Sequence, residues 1–365
     1  MNLRIPGPTP VPEAVLSAMA KQMINHRGPE FGQLIAKVTG QLKGFFQTDN
    51  DLFILTAAGT GGMEAALVNV LSPGDRVLAV SIGVFGDRFA NIAKAFGADV
   101  VKLDFPWGAA ADPAVVESKL KGDPTIKAVL VTHNETSTGV TNDLESISRV
   151  VKAQGKLLVV DAISSIGAVD LPVDKWQCDV VVTGSQKAWM VPPGLTMVSV
   201  SPQAWEAIDR ATMPRMYWDL KAAKRYLERG QTPWTPAVSQ FFALSAALDM
   251  MAEEGLPSIL ARHRAIGDYT RAGLKARGLE LFPADERYAS NTVTAFKIPQ
   301  GIAGSELVKK MRAERGVVIS GGQLSLADKI ARIGHLGYVS KEDIDGVFEA
   351  LDAVLPELGF KAQTA

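Results

Sequence analysis

An aspartate and a lysine, each delivered by the end of an apolar run, are the residues of this chain best placed to do chemistry. Leu157–Val160 is closed by Asp161, and Val180–Val182 leads into Thr183-Gly184-Ser185-Gln186-Lys187. Both runs read as buried parallel strands, and ligands of open α/β sheets bind at the carboxyl ends of strands. A carboxylate and an amine presented there meet the needs of a pyridoxal phosphate enzyme. The lysine forms a Schiff base with the aldehyde, and the acid pairs with the pyridinium nitrogen so that the ring withdraws electrons. Lys187 lies among Ser, Gln, Ala, Trp and Met and precedes Pro192-Pro193-Gly194. Such low-charge surroundings desolvate an amine and lower its pKa. Each residue also has a plainer use, Asp161 as a helix N-cap and Lys187 as a solvated amine. Their pairing favours chemistry.

Further motifs supply the rest of a site. Gly59-Thr60-Gly61-Gly62 follows a strand-like run and opens a helix, so its amides and the helix N-terminus suit a phosphate, with the Thr60 hydroxyl beside them. It is not a dinucleotide fingerprint, and no acid ends a following strand at the required distance. Phe85 could stack on a pyridine ring, or belong to the core. Thr136, in the His133–Gly139 segment, brings a hydroxyl after another strand. Arg332 lies in an apolar, glycine-flanked run, where a guanidinium suits bidentate capture of a substrate carboxylate or serves the structure. Gln231–Pro236 is a rigid turn whose hydroxyls suit a phosphate of a second subunit. The histidines at 26, 133, 263 and 335 are scattered, so no metal site is expected.

Composition narrows the function. A net charge of −1 argues against nucleic-acid or polybasic membrane partners. One cysteine, Cys178, leaves no intrachain disulfide and no multi-thiolate metal site, and its place at a strand head suits a core thiol. The start, MNLRIPGPTPVPE, lacks the apolar stretch of a signal peptide, and the final KAQTA matches no receptor-read address. No apolar run approaches the roughly 20 residues of a membrane span. A cytoplasmic protein is expected.

These residues need a scaffold of alternating helices and strands. Helices are expected at 31–46, 63–71 and 88–96, and strands at 52–55, 76–80, 100–103, 128–132, 157–160, 180–183 and 197–200. The pattern implies a large α/β domain with a mostly parallel, seven-stranded-type sheet covered by helices on both faces. Glu253-Glu254-Gly255-Leu256-Pro257 breaks the rhythm. The expected division is an N-terminal arm (1–20), a large domain (21–254) and a smaller α+β domain (255–365). The last holds a helix over 259–277, short strands at 280–282, 292–297 and 317–319, and a final helix capped by Ser340 with Asp343. The proline-rich arm cannot form regular structure alone and is expected to lie on another surface, such as a neighbouring subunit.

Taken together, PGPTPVPE (6–13), HRGPEF (26–31), GTGGMEAALVNVLSPGDRV (59–77), HNETSTGV (133–140), VDAISSIG (160–167), TGSQKAWMVPPGL (183–195), TPWTP (232–236) and RIGHLG (332–337) resemble class V aminotransferases of the fold-type I pyridoxal phosphate superfamily. The serine/alanine–glyoxylate (serine–pyruvate) group is the nearest in look. The resemblance implies a homodimer with shared active sites. It makes Lys187 the Schiff-base lysine and Asp161 the partner of the ring nitrogen. It puts Gln186, Gly59 and Thr60 around the phosphate, Thr136 by the ring, Arg332 on the substrate carboxylate, and Thr235 with Thr232 on the partner's phosphate. Phe85 stands where the family often has tryptophan, Ala58 where some members have serine, and Trp234 where tyrosine is common. The implied reaction moves the amino group of alanine or serine to glyoxylate or pyruvate by a ping-pong mechanism. Other donors (ureidoglycine, hydroxyaspartate, pyridoxamine) and a non-catalytic partner subunit are the alternatives.

Overall fold

Short Val- and Leu-rich runs become the strands of one seven-stranded sheet in the computed structural model, which describes residues 1–360. In chain order the strands are β1 (Asn2–Leu3), β2 (Asp51–Ala57), β3 (Arg76–Ser81), β4 (Asp99–Asp104), β5 (Ala128–Thr132), β6 (Asn134–Glu135), β7 (Val140–Thr141), β8 (Leu157–Asp161), β9 (Val180–Gly184), β10 (Gly194–Val200), β11 (Val293–Lys297), β12 (Val317–Val318), β13 (Ser320–Gly321) and β14 (Ile330–Gly334). The α-helices are α1 (Glu13–Met19), α2 (Pro29–Phe46), α3 (Gly59–Val70), α4 (Val84–Ala95), α5 (Pro113–Gly122), α6 (Leu144–Ala153), α7 (Pro202–Arg210), α8 (Leu220–Leu227), α9 (Val238–Glu254), α10 (Leu256–Ala276), α11 (Gly304–Arg315) and α12 (Lys341–Glu357).

The large sheet has the order β2-β10-β9-β8-β5-β3-β4, and β10 alone runs antiparallel to its neighbours. Every residue of β5, β8 and β9 is buried, as strands covered on both faces must be. Alternate residues of β8 feed two cores. Leu158 and Val160 join Phe31, Phe46, Trp189 and Phe241 on one face, whereas Leu157 and Val159 join Met63, Leu67 and Phe89 on the other. The expected α/β architecture is the observed one.

Helix starts differ from expectation. The helix expected at Met63 begins at Gly59, and the one expected at Arg88 begins at Val84. Glycine is a poor helix former, which hides these first turns in the sequence. Packing demands it, because a Cβ at Gly62 would lie 2.1 Å from Thr196 Oγ1 and 2.6 Å from Val182 Cγ1. The helix therefore runs unusually close to β9 and β10.

The strand expected at 280–282 shrinks to a single bridge between Leu281 and Phe296, since Pro283 has no N–H with which to extend a ladder. A third core (Leu274, Phe296, Met311, Phe348 and Leu351) gathers α10, α11 and α12 against the small sheet β11-β14-β13. Ser340 and Asp343 form the expected capping box of α12. The arm lies on another surface, as expected, and the surface it finds belongs to its own chain. β1 pairs in parallel with β12, Gly334 N donates to Arg4 O at 2.7 Å, and the buried Arg4 guanidinium meets Asp343 at 3.3 Å. The arm thus packs on its own chain. Among the described residues no helix is long and apolar enough to cross a membrane, and the KAQTA end lies outside them.

Gly62→Ala should cost about 1–3 kcal/mol by overpacking the α3–sheet contact. The expected result is a lower urea midpoint at unchanged slope.

Candidate active site

β5, β8 and β9 end side by side, and their carboxyl ends build the floor of the site. Thr132 and Val182 flank Asp161 in register. The Asp161 carboxylate accepts from Ile163 N at 3.0 Å and from Thr132 Oγ1 at 3.3 Å. Burial pushes its pKa up to about 6, against the Ile163 hydrogen bond, while nearby Glu135 pushes it up further. An acid in such a place is destabilised as an anion, and a cation brought beside it would relieve that cost.

Lys187 sits in a loop fixed from both sides. Trp189 is wholly buried, stacks on Phe46 at 5.9 Å between ring centroids, and donates Nε1–H to Thr183 Oγ1 at 3.1 Å. Ser185 Oγ donates to Pro192 O and accepts from Leu195 N. The arm covers the loop, with Thr9 N donating to Gln186 O and Thr9 Oγ1 to Lys187 O. Lys187 Nζ donates to Pro6 O at 2.6 Å. Burial lowers its pKa to about 8; Asp161 opposes this, whereas Arg332 and Arg88 reinforce it. An amine tuned there exchanges protons readily near neutral pH.

Lys187, Asp161, Gly59, Thr60, Phe85, Thr136 and Gln186, all expected in the site, line one cavity of about 130 Å³. Gly59 and Thr60 form the first turn of α3 behind Ala58, which offers no side-chain cap. A Cβ at Gly59 would lie 2.6 Å from Ile163 Cδ1, so any larger residue there would displace the Ile163 side chain from the cavity wall. Gln186 Oε1 is buried without a partner in the same cavity. An uncapped helix start, a hydroxyl, an orphaned amide, an acid and an amine fit a phosphate-bearing aldehyde with a basic ring nitrogen. The donor set therefore suits pyridoxal phosphate.

Arg332 stands at the margin. Its Nε and Nη2 donate to Gly321 O at 3.0 and 2.8 Å, and Nη1 donates to Thr136 O at 3.0 Å. Burial lowers its pKa to about 10, opposed by Glu135. Thr232 and Thr235 are not part of the cavity. They line a separate concavity with Tyr217 and Asp219, where Trp234 stacks on Tyr217 and donates Nε1–H to Tyr217 O. Sequence reasoning passed over Ile163, Ser164, Asn134 and Arg88, which also line the cavity. Arg88 lies one helical turn after Phe85, its guanidinium 4.8 Å from the ring centroid, a spacing legible once α4 is known to start at Val84. A larger concavity of about 670 Å³ beside Asp75 and Lys127 opens widely to solvent at the other end of the sheet. It holds none of these groups. Among the described residues no three His, Cys, Asp or Glu side chains are placed to hold a metal. His133 is buried, and burial lowers its pKa to about 4, so it is neutral.

The aminotransferase class-V family model matches residues 1–347. The chain is 48% identical to the "soluble hydrogenase, small subunit" of a Synechococcus species, covering 98% of this chain and 94% of that one. It is 38% identical to a serine–glyoxylate aminotransferase of Arabidopsis thaliana, covering 98% and 91%. Among solved structures, ureidoglycine–glyoxylate aminotransferase of Bacillus subtilis superposes with a TM-score of 0.94 at 31% identity, over 100% of this chain and 95% of that one.

Because the folded-state pKa of Asp161 is raised from 3.8 to about 6, its ionisation opposes folding, with a penalty absent well below pH 4 and complete above about pH 6. Asp161→Asn should therefore stabilise the cofactor-free protein by up to about 3 kcal/mol at pH 7.5. Urea unfolding should show that gain shrinking as the pH falls from 6 toward 4.

Proposed function

The chain belongs to the class-V aminotransferases, and on that premise we propose that it is a pyridoxal phosphate-dependent transaminase moving the amino group of alanine or serine to glyoxylate or pyruvate. The observation that carries this reading is the meeting of Lys187 and Asp161 in one cavity with the open first turn of α3. The cofactor, when bound, supplies an aldehyde that accepts amino groups and a ring that takes up the electrons released at the substrate Cα.

Lys187 would hold the aldehyde, Asp161 the ring nitrogen, and Gly59, Thr60 and Gln186 the phosphate. Phe85 and Ile163 would wall the ring, with Thr136 beside it. Asp161, whose buried carboxylate lacks a cationic partner of its own, would hold the proton of that nitrogen in place. Lys187 Nζ, with its lowered pKa, would take the Cα proton of the donor and pass it to the cofactor carbon that carried the aldehyde oxygen, and would run the reverse transfer onto the acceptor in the second half-reaction. Arg332 offers charge-assisted donors to the substrate carboxylate, which fixes the end of the molecule that varies least and leaves the side-chain pocket to choose the donor. The chain's own arm closes over the amine through Pro6 and Thr9.

The proposed assembly is a homodimer in which Thr235, with Thr232, reaches the partner's cofactor phosphate. Their position outside their own chain's cavity supports this reading. The Synechococcus relative is named as a subunit of a soluble hydrogenase, which suggests a redox-enzyme subunit as the alternative. Against that, the one thiol, Cys178, is buried and burial raises its pKa, so this chain supplies no multi-thiolate cluster. Lys187, Asp161 and Arg332 all stand ready for transfer chemistry. Likeness to the ureidoglycine enzyme keeps that donor as a second reading.

Titrating the cofactor-free protein with pyridoxal phosphate should generate a yellow visible band. Amino acids added singly should then bleach it, alanine and serine fastest, and glyoxylate should restore it. Lys187→Ala should lose the band and at least ~10³-fold in turnover; a variant that stays yellow and fully active would refute the assignment. Arg332→Ala should raise the KM for the amino acid by about 10²-fold while leaving cofactor affinity within twofold.

A further inference from the structure

Glu135 ends β6 with no exposed surface, and the roles assigned above leave it without one. Its Oε2 accepts from the N–H groups of Phe85 at 3.0 Å and Gly86 at 3.1 Å. Its Oε1 accepts from Ser137 N at 3.1 Å and from Ser137 Oγ–H at 2.6 Å. Ser137 Oγ accepts in turn from Val84 N at 3.0 Å. Three successive amides at the start of α4 thus end on one side-chain pair from the turn that carries Thr136. The N-cap of α4, Gly83, contributes no side chain, and a Cβ there would lie 2.5 Å from Ser137 Oγ and 2.6 Å from Glu135 Cγ. The fit leaves the helix start one seat. Phe85 is the residue so seated, and its ring forms a wall of the Lys187 cavity. The same turn receives Arg332, whose Nη1 donates to Thr136 O.

We propose that Glu135 is a positioning residue of the transaminase: it holds the start of α4 so that the Phe85 ring lies flush with the cofactor ring. Through Thr136 it also joins that wall to the arginine that takes the substrate carboxylate. The inference rests on the reading of the Lys187 cavity as a pyridoxal phosphate site. Chemistry explains why the residue is an acid. Both oxygens of a carboxylate accept, so four donors are served at once; a glutamine would turn an NH₂ toward one donor pair and leave it unpaired in the interior.

The test uses cofactor-free wild type, Glu135→Gln, Phe85→Ala and the double variant. Each is titrated with pyridoxal phosphate by visible absorbance, and its melting temperature without cofactor is recorded. Glu135→Gln should weaken cofactor binding about tenfold. The double variant should bind no more weakly than Phe85→Ala alone, because the two residues act through one contact. An equal loss in both backgrounds overturns the proposal, as does a lowered melting temperature with wild-type affinity. If Glu135→Gln does not fold, Ser137→Ala opens the same clamp at one link. It should weaken binding about threefold in wild type and not in Phe85→Ala, and the same two contrary results overturn the proposal. Failure of wild type to bind the cofactor would sink the functional reading itself, an outcome distinct from a binding wild type with an indifferent Glu135→Gln.

Discussion

Asp161 and Lys187 are shut away from water by the same walls, and burial drives each toward its neutral form. Their mutual attraction offsets only part of that cost, since burial remains the largest influence on both. A low-dielectric pocket that holds an acid and an amine in this condition stores unfavourable free energy until a complementary ligand arrives. Much of the surrounding structure serves to keep the two in place: fully buried strands below, the Trp189 anchor beside the lysine, and the arm above. Stability is given up locally where an acid and an amine are buried together, a pattern that clusters at functional sites.

The floor of this pocket was legible because parallel strands covered on both faces leave a plain trace, a short aliphatic run ended by polar residues. Asp161, Lys187 and the glycine turn could be found from that trace. Ile163 and Arg88 were missed for different reasons. Ile163 is an aliphatic residue whose only distinction is the neighbour it touches, and Arg88 needed the true start of α4. Glycine-rich first turns conceal helix starts, because close approach to the sheet outweighs their poor propensity. Glu135 left no signal of its own, since its partners at 85 and 86 are fifty residues away in sequence. Thr232 and Thr235 stood out in the sequence as hydroxyls of a rigid turn, and within one chain they line a concavity apart from that of Lys187.

The site draws on three of the molecule's hydrophobic cores. The two that flank the large sheet position the strand ends and α3. The third holds β14 and so places Arg332, whose guanidinium is tied by Thr136 O to the turn after β6. Asn134 adds a second tie, donating to Ser164 Oγ at 2.8 Å and to Thr292 Oγ1 at 2.9 Å. Hydrogen bonds rather than apolar contact thus cross at the margin of the Lys187 cavity. Such bonds are directional, and they set the guanidinium's angle more sharply than packing alone could.

The arm carries a consequence for biosynthesis. Asn2 and Leu3 leave the ribosome about 300 residues before Val317 and Val318, the partners they pair with, so this segment waits long to dock. Until that late pairing closes, Pro6 and Thr9 have nothing to hold them over the lysine. A nascent chain with its large sheet already formed would therefore still present an uncovered amine, and synthesis must pass Val318 before the pocket acquires its lid.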